Sequence, residues 1–154
     1  MAKRKINIKD LRKFVGQEIG RSDWCEVTQE QVSNFAEATG DRSWVHLDGD
    51  RARKELPQGR TIVHNFLLLG LIPGFFDQVA EIEGIRYGLN RGVENVCFLH
   101  PLPTGSRIRF RLNLLRLEYV DQRGMTATFQ IQLEREDNDK KVLSADLRLL
   151  FVTQ

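Results

Sequence analysis

A carboxylate and an imidazole stand close together in the stretch FAEATGDRSWVHLD, which covers residues 35–48. Asp41 directly follows Gly40, and His46 comes five residues after Asp41. Because a glycine commonly ends a helix, both residues are expected on a short loop that can direct their side chains to one point. An aspartate and a histidine that share one water molecule can remove its proton and deliver a proton elsewhere. The pattern therefore favours a site that activates water.

Helix signals precede this loop. Thr28 is a good N-cap residue, and Gln31 is its partner in a capping box, which predicts a helix that runs up to Gly40. The segment 20–27 reads as a first strand. Before it, the segment 6–18 has a weak amphipathic pattern that predicts a short helix or turn.

Two further helices are predicted after the loop. Asp48 can cap a short helix over 49–56. Thr61 can cap a longer helix over about 62–80, in which Pro73 should produce a kink or start a new segment. This longer segment is apolar almost all round, and a helix without a polar face is buried on most sides. We therefore expect it at the centre of the core.

The second half of the chain is rich in β-strand patterns, and the last three of its segments alternate between polar and apolar residues. The predicted strands are 85–89, 96–98, 106–119, 125–133 and 141–152. Hairpin turns are expected at Asp121–Gly124 and Asp137–Asp139. Alternation with one apolar face indicates an antiparallel sheet that is buried on one side. The only element available to cover that face is the 62–80 helix, so we predict one α+β domain over 1–154 with the hot-dog fold, a curved antiparallel sheet wrapped around a central buried helix.

The loop and its flanks resemble the MaoC-like, (R)-specific enoyl-CoA hydratases. Their motif is a small residue, Gly, Asp, any residue, Asn, Pro, an aliphatic residue and His, and the residues that match are Gly40, Asp41, Val45 and His46. Ser43 and Trp44 stand in place of the Asn-Pro pair. The branch related to nodulation protein N is more similar still, because it favours an aromatic residue before the His. Segments such as RTIVHNFLLLGLIP and PLPTGSRIRFR follow in its order, and the resemblance covers roughly residues 20–112.

This resemblance implies an enzyme that interconverts trans-2-enoyl and (R)-3-hydroxyacyl thioesters of coenzyme A or acyl carrier protein. Asp41 and His46 would be the catalytic residues, and Ser43 would shape their loop. His64-Asn65 stands where the family commonly has His-Gly, whose glycine amide contacts the thioester oxygen. We expect His64 and Asn65 to lie in the substrate-binding region, with Asn65 adding a side chain beside the thioester. We expect His64 to be a structural, hydrogen-bonded histidine rather than a second catalytic base. The resemblance also implies a homodimer joined at sheet edges, and an unpaired edge strand invites such pairing.

Composition restricts the partners and the compartment. The chain has 154 residues, of which 41% are hydrophobic and 29% are charged, and its net charge is +2. Nothing in this balance favours nucleic acid, and no apolar run reaches the roughly 18 residues of a membrane span. Cys25 and Cys97 give no disulfide framework and read as small core residues on strands, so we expect a reducing, cytoplasmic setting.

A metal site and a separate cofactor are not expected. The three histidines and two cysteines are scattered without ligand spacing, and a structural zinc ion needs four converging groups. The proposed proton transfers use side chains alone, with coenzyme A present only as part of the substrate.

Two other functions remain open. A hot-dog thioesterase generally places an acidic residue on its central helix, whereas the first acid in this one is Asp77, which comes late. A non-catalytic acyl-thioester binder or structural dimer partner would explain Asn65 and the Ser43-Trp44 pair.

Overall fold

The structure is a computed structural model that describes residues 2–122, 124–138 and 140–153. Its helices are α1 Gln29–Thr39, α2 Trp44–Leu47, α3 Gly49–Glu55 and α4 Asn65–Val79, with a 3-10 helix at Ile8–Phe14. Its strands are β1 Arg4–Asn7, β2 Glu18–Arg21, β3 Cys25–Glu26, β4 Ala80–Glu83, β5 Ile85–Phe98, β6 Arg107–Asp121, β7 Gly124–Arg135 and β8 Lys141–Thr153.

One antiparallel sheet has the strand order β2-β6-β7-β8-β5, and β3 also pairs with β6. The alternating pattern predicted β6, β7 and β8 to within about two residues at each end. The predicted turns between them lie partly outside the described residues, because Arg123 and Asp139 are not among them.

Helix α4 packs on the inner face of this sheet. The Phe75 ring stacks on Phe110 of β6, with 5.9 Å between ring centroids. The Phe76 ring meets Phe129 of β7 edge to face at 5.2 Å. A curved antiparallel sheet around a central helix is the predicted α+β hot-dog arrangement, which is confirmed. None of the helices in the described part of the chain combines the length and hydrophobicity of a transmembrane segment.

The long helix begins later than predicted. Ile62 forms an isolated bridge with Pro103, and the Val63 amide donates to the carbonyl of Leu102, so this segment is extended. Thr61 does not cap a helix, because its hydroxyl donates to a side chain of α1 instead. The helix then continues through Pro73 without starting a new segment.

The prediction that α4 is buried on most sides is wrong for one of its faces. Phe66 is 69% exposed, and Gly70, Pro73 and Gly74 are exposed on the same helix. The exposed apolar surface continues onto β5, where Leu89 and Val93 are 51% and 42% exposed. We call these six residues the α4–β5 face.

Three other expectations change in detail. The strands predicted at 85–89 and 96–98 are one strand, β5, with register shifts that keep its pairing with β8 irregular. In the described chain β5 lies at the end of the sheet, so its other edge is open. The strand predicted at 20–27 is split into β2 and β3. Cys97 is exposed and is not a core residue, whereas Cys25 is half-buried against the core.

Candidate active site

The loop after α1 holds the two residues that the sequence singled out. Gly40 ends α1 with a left-handed backbone (φ +81°), a conformation that glycine adopts without strain. Asp41 follows on the loop with its side chain 52% exposed, and His46 lies in α2 with its side chain 12% exposed. His46 Nε2 is 4.0 Å from Asp41 Oδ2, so the fold brings the two side chains together.

The hydrogen bonds of His46 define its tautomer. Its Nδ1 is 2.7 Å from the carbonyl oxygen of Ile62. A carbonyl oxygen can only accept, so Nδ1 carries the hydrogen and Nε2 presents a lone pair. That lone pair lies on the nitrogen next to Asp41. One water molecule at hydrogen-bond distance, about 2.8 Å, can contact both Nε2 and Oδ2.

His64 supports this pair from the N-terminus of α4. Its ring stacks on His46 with centroids 3.7 Å apart, and it also contacts Phe35 at 4.8 Å. Its Nε2 is 2.9 Å from the backbone carbonyl oxygen of Asp41. The residue is only 2% exposed, which leaves almost no surface for the substrate contact that we expected of it. Its contacts instead hold both the imidazole and the loop in place.

The start of α4 offers backbone donors beside His64. The first amides of a helix have no acceptor within the helix, and those of Asn65 and Phe66 have none among the described residues. The helix dipole adds a partial positive charge at this end. Asn65 is exposed, so its side chain can reach a bound molecule.

Ser43 and Trp44 shape the loop in ways that the sequence did not specify. Ser43 is the N-cap of α2, but its side chain makes no capping hydrogen bond, and its backbone amide lies 3.5 Å from Asp41 Oδ1. The Trp44 ring lies under the guanidinium of Arg51 at 3.9 Å. This cation–π contact joins the loop to α3.

Sequence reasoning missed Gln29, the first residue of α1. Its Nε2 donates to the carbonyl of His46 at 2.9 Å, and its Oε1 accepts from the hydroxyl of Thr61 at 2.7 Å. Gln29 thus ties α2 to the segment whose Ile62 carbonyl orients His46. The Ile62 amide in turn donates to Val45. No local pattern marks these residues, because their partners are far away in the chain.

The neighbouring arginine does not neutralise Asp41. Arg42 donates to Glu37 at 2.8 Å, and this hydrogen bond raises the pKa of the Arg42 guanidinium. Among the described residues, the carboxylate of Asp41 has no arginine or lysine ion-pair partner, and His46 Nε2 lies 4.0 Å from it. It therefore stays available to a water molecule or a ligand.

A cavity of about 500 Å³ opens along the second half of α4. Its apolar lining includes Phe76, Ile85, Leu147, Leu149 and Phe151, and the charged residues Lys3, Asp77 and Glu81 also line it. By helix rise, Phe76 lies about 16 Å along the axis from Asn65. The cavity and the Asp41–His46 pair are therefore at opposite ends of the same helix.

Comparison with known proteins identifies relatives of this chain. The family of MaoC-like domains matches residues 10–135. The 3-hydroxyacyl-thioester dehydratase Z of Mycobacterium tuberculosis is 36% identical over 146 residues, which cover 95% of this chain and 96% of that protein. Nodulation protein N of Rhizobium leguminosarum is 34% identical over 142 residues, with 92% of this chain and 88% of that protein covered.

Solved structures show the same fold at lower identity. A MaoC-like dehydratase from Rhodospirillum rubrum superposes with a TM-score of 0.76 at 16% identity, covering 97% of this chain and 98% of that one. An (R)-hydratase from Pseudomonas aeruginosa superposes with a TM-score of 0.71 at 21% identity, covering 91% and 83%. Together with the family match over most of its length, these findings show that the chain belongs to the family of MaoC-like domains.

Proposed function

We propose that this protein is a hydratase/dehydratase that interconverts trans-2-enoyl and (R)-3-hydroxyacyl thioesters. The observation that carries the proposal is the 4.0 Å separation between His46 Nε2 and Asp41 Oδ2, with the tautomer of His46 fixed by Ile62. The name of the dehydratase Z relative and the family membership support the same reaction.

The reaction adds one water molecule to the double bond and requires the transfer of one proton. In the hydration direction, the Asp41–His46 pair removes a proton from the water while its oxygen bonds to the β-carbon. The electrons of the carbon–carbon double bond move toward the thioester, whose oxygen becomes an enolate. We propose that the amides of Asn65 and Phe66 donate to that oxygen. The pair then returns a proton to the α-carbon, so no electron donor or metal is needed.

The carrier and the acyl chain would occupy different surfaces. We propose that the apolar cavity by Phe76 takes the end of a medium or long acyl chain, since about 16 Å of helix separates it from Asn65. The thioester is carried by coenzyme A or acyl carrier protein, and no other cofactor is required.

We also propose that two copies assemble through the α4–β5 face. This face combines an open strand edge with exposed apolar side chains, and either feature favours association. A cytoplasmic setting stays part of the proposal, because both cysteines are free thiols.

The test is hydration of trans-2-enoyl-CoA of several chain lengths, followed by loss of the enoyl absorbance. We expect turnover in the parent and a loss of about 10²–10⁴-fold in Asp41→Asn and in His46→Gln. His100→Gln is the matched control, because His100 is exposed and its Nδ1 contacts the carbonyl of Lys141.

Two outcomes would overturn this proposal. Release of free coenzyme A, measured with a thiol reagent, would indicate a thioesterase. Binding of enoyl-CoA without turnover at any chain length would indicate a non-catalytic binder, and Asn65→Gly would then test whether the added side chain prevents the reaction.

A further inference from the structure

One end of the apolar cavity along α4 is charged. Lys3, Asp77 and Glu81 line the cavity together with its apolar side chains. By helix rise, Asp77 lies about 18 Å along the axis from Asn65, and Glu81 follows the end of α4. The charges therefore lie at the end of the cavity that is farther from the start of α4. We propose that Lys3 is a specificity-determining residue, which closes this end of the cavity and limits the length of the acyl chain that the cavity encloses.

Strand β1 brings Lys3 to the cavity. Lys3 directly precedes β1, which pairs in parallel with β4, with Arg4 opposite Ala80. Ile6 of β1 is 3% exposed, and the Arg4 guanidinium donates to the carbonyl of Ile19 at 3.3 Å. These contacts hold the strand against the rest of the chain, so the fold itself places Lys3 beside the cavity.

An ion pair holds the side chain of Lys3. Its Nζ is 3.6 Å from Glu81 Oε2, and the two side chains are 40% and 41% exposed. Alkyl carbons that pack against such a pair remove water from both charges, and burying a charge costs more free energy than burying a methylene contributes. Asp77 and Asn90 complete the polar lining, and both are exposed. The apolar path for an acyl chain therefore ends at Lys3.

The helix gives the chain lengths at which this limit should act. Each carbon of an extended chain advances about 1.25 Å, because C–C bonds of about 1.5 Å meet at nearly tetrahedral angles. Pro73, the first residue of α4 in the lining, lies about 12 Å from Asn65, and Asp77 lies about 18 Å from it. Chains of about ten carbons should therefore reach the cavity, and chains of about fourteen carbons should reach its charged end. This inference rests on the proposed acyl site but not on the hydration chemistry.

The test is the binding of saturated acyl-CoA thioesters whose chain lengths bracket these two values, measured by calorimetry below their micelle concentrations. A saturated thioester cannot be hydrated, so the measurement needs no turnover. In the parent, affinity should rise about fourfold with each methylene that enters the cavity and should stop rising at its charged end. Lys3→Ala removes the ammonium and about 5 Å of side chain, so the rise should continue for about four further carbons.

Lys5→Ala is the matched control. Lys5 lies on the same strand and its Nζ also contacts Glu81, at 3.8 Å, but it is not among the described residues that line the cavity. Its loss should leave the length at which affinity stops rising unchanged. Both lysines are exposed, so both variants are expected to fold, which circular dichroism checks.

An unchanged length limit in Lys3→Ala, or an equal shift in Lys5→Ala, would overturn the role of Lys3. Affinity that does not depend on chain length would also overturn it, because the chain would then lie outside the cavity. Turnover of a short enoyl thioester is measured separately. A limit that moves in Lys3→Ala without turnover in the parent would support the role of Lys3 and refute the hydratase, and turnover with an unmoved limit would do the reverse.

Discussion

Gln29 offers a quantitative test of how the site is held. Gln29→Met keeps the length of the side chain but removes its hydrogen bonds to His46 and Thr61. Thr61→Val keeps the shape of the threonine and removes only its hydroxyl. The two substitutions break the same 2.7 Å hydrogen bond from opposite ends.

The two substitutions should lower the stability by different amounts, because each leaves a different polar group without its hydrogen-bond partner. Gln29→Met leaves the hydroxyl of Thr61, which is only 5% exposed, without its acceptor. An unsatisfied buried donor costs about 1–3 kcal/mol of stability. Thr61→Val leaves the amide of Gln29, which is exposed and can bond to water, so we expect about 0.5–1.5 kcal/mol. The double variant should be less destabilised than the sum of both, by about 1 kcal/mol.

Urea unfolding of the four proteins measures this cycle. Protein concentration is held constant, because the stability of a dimer depends on it. Gln29→Met should also lower kcat more than Thr61→Val does, since only the former releases the carbonyl of His46. Additive costs within about 0.3 kcal/mol, or a larger cost for Thr61→Val, would refute the reasoning.

Three further predictions concern the cavity, the α4–β5 face and the charged surface. Leu149→Trp should fill the cavity and lower kcat/KM for long enoyl thioesters while the four-carbon substrate is little affected; equal loss for both would contradict the acyl site. Phe66→Asp should convert the proposed dimer into monomers in light scattering, while Tyr119→Asp, at a site of similar exposure (63% against 69%), should not; dimers in both would place the interface elsewhere. Hydrogen bonding to Arg21 holds the pKa of Glu18 below its usual 4.5. The ion pair therefore stabilises the folded protein fully above pH 4.5, and this stabilisation is lost as the pH falls through the lowered pKa of Glu18. Glu18→Gln should therefore cost less than about 1 kcal/mol at pH 7 and nothing in strong acid, and an unfolding difference that persists in acid would contradict this sign.

The sequence predicted the parts of the fold that depend on local interactions. Thr28 and Gln31 form the predicted capping box, and Gly40 ends α1 as expected. The alternation of β6 to β8 required only a buried and an exposed face, and the sheet supplies both. The proximity of Asp41 and His46 was predictable because only five positions separate them in the sequence.

Tertiary contacts decided what the sequence did not show. Thr61 looks like an N-cap, but its hydroxyl bonds to Gln29, more than thirty residues earlier, and the helix starts at Asn65. The stacking of His64 on His46 likewise depends on Ile62 and Val63 being extended beside Pro103 and Leu102. A parallel pairing such as that of β1 with β4 has no local signal at all.

The exposed glycines of α4 affect two properties of this helix differently, namely its stability within one chain and its association with a second chain. A Cβ at Gly70 or Gly74 would meet no atom within 4 Å, so neither glycine is needed for packing within one chain. Alanine favours a helix interior over glycine by about 1 kcal/mol, and a screen for heat resistance of the single chain should therefore enrich alanine at both positions. A screen for assembly should instead reject it if two helices approach closely there. Opposite outcomes of these screens would show that glycine at positions 70 and 74 lowers the stability of the single chain but favours association of two chains.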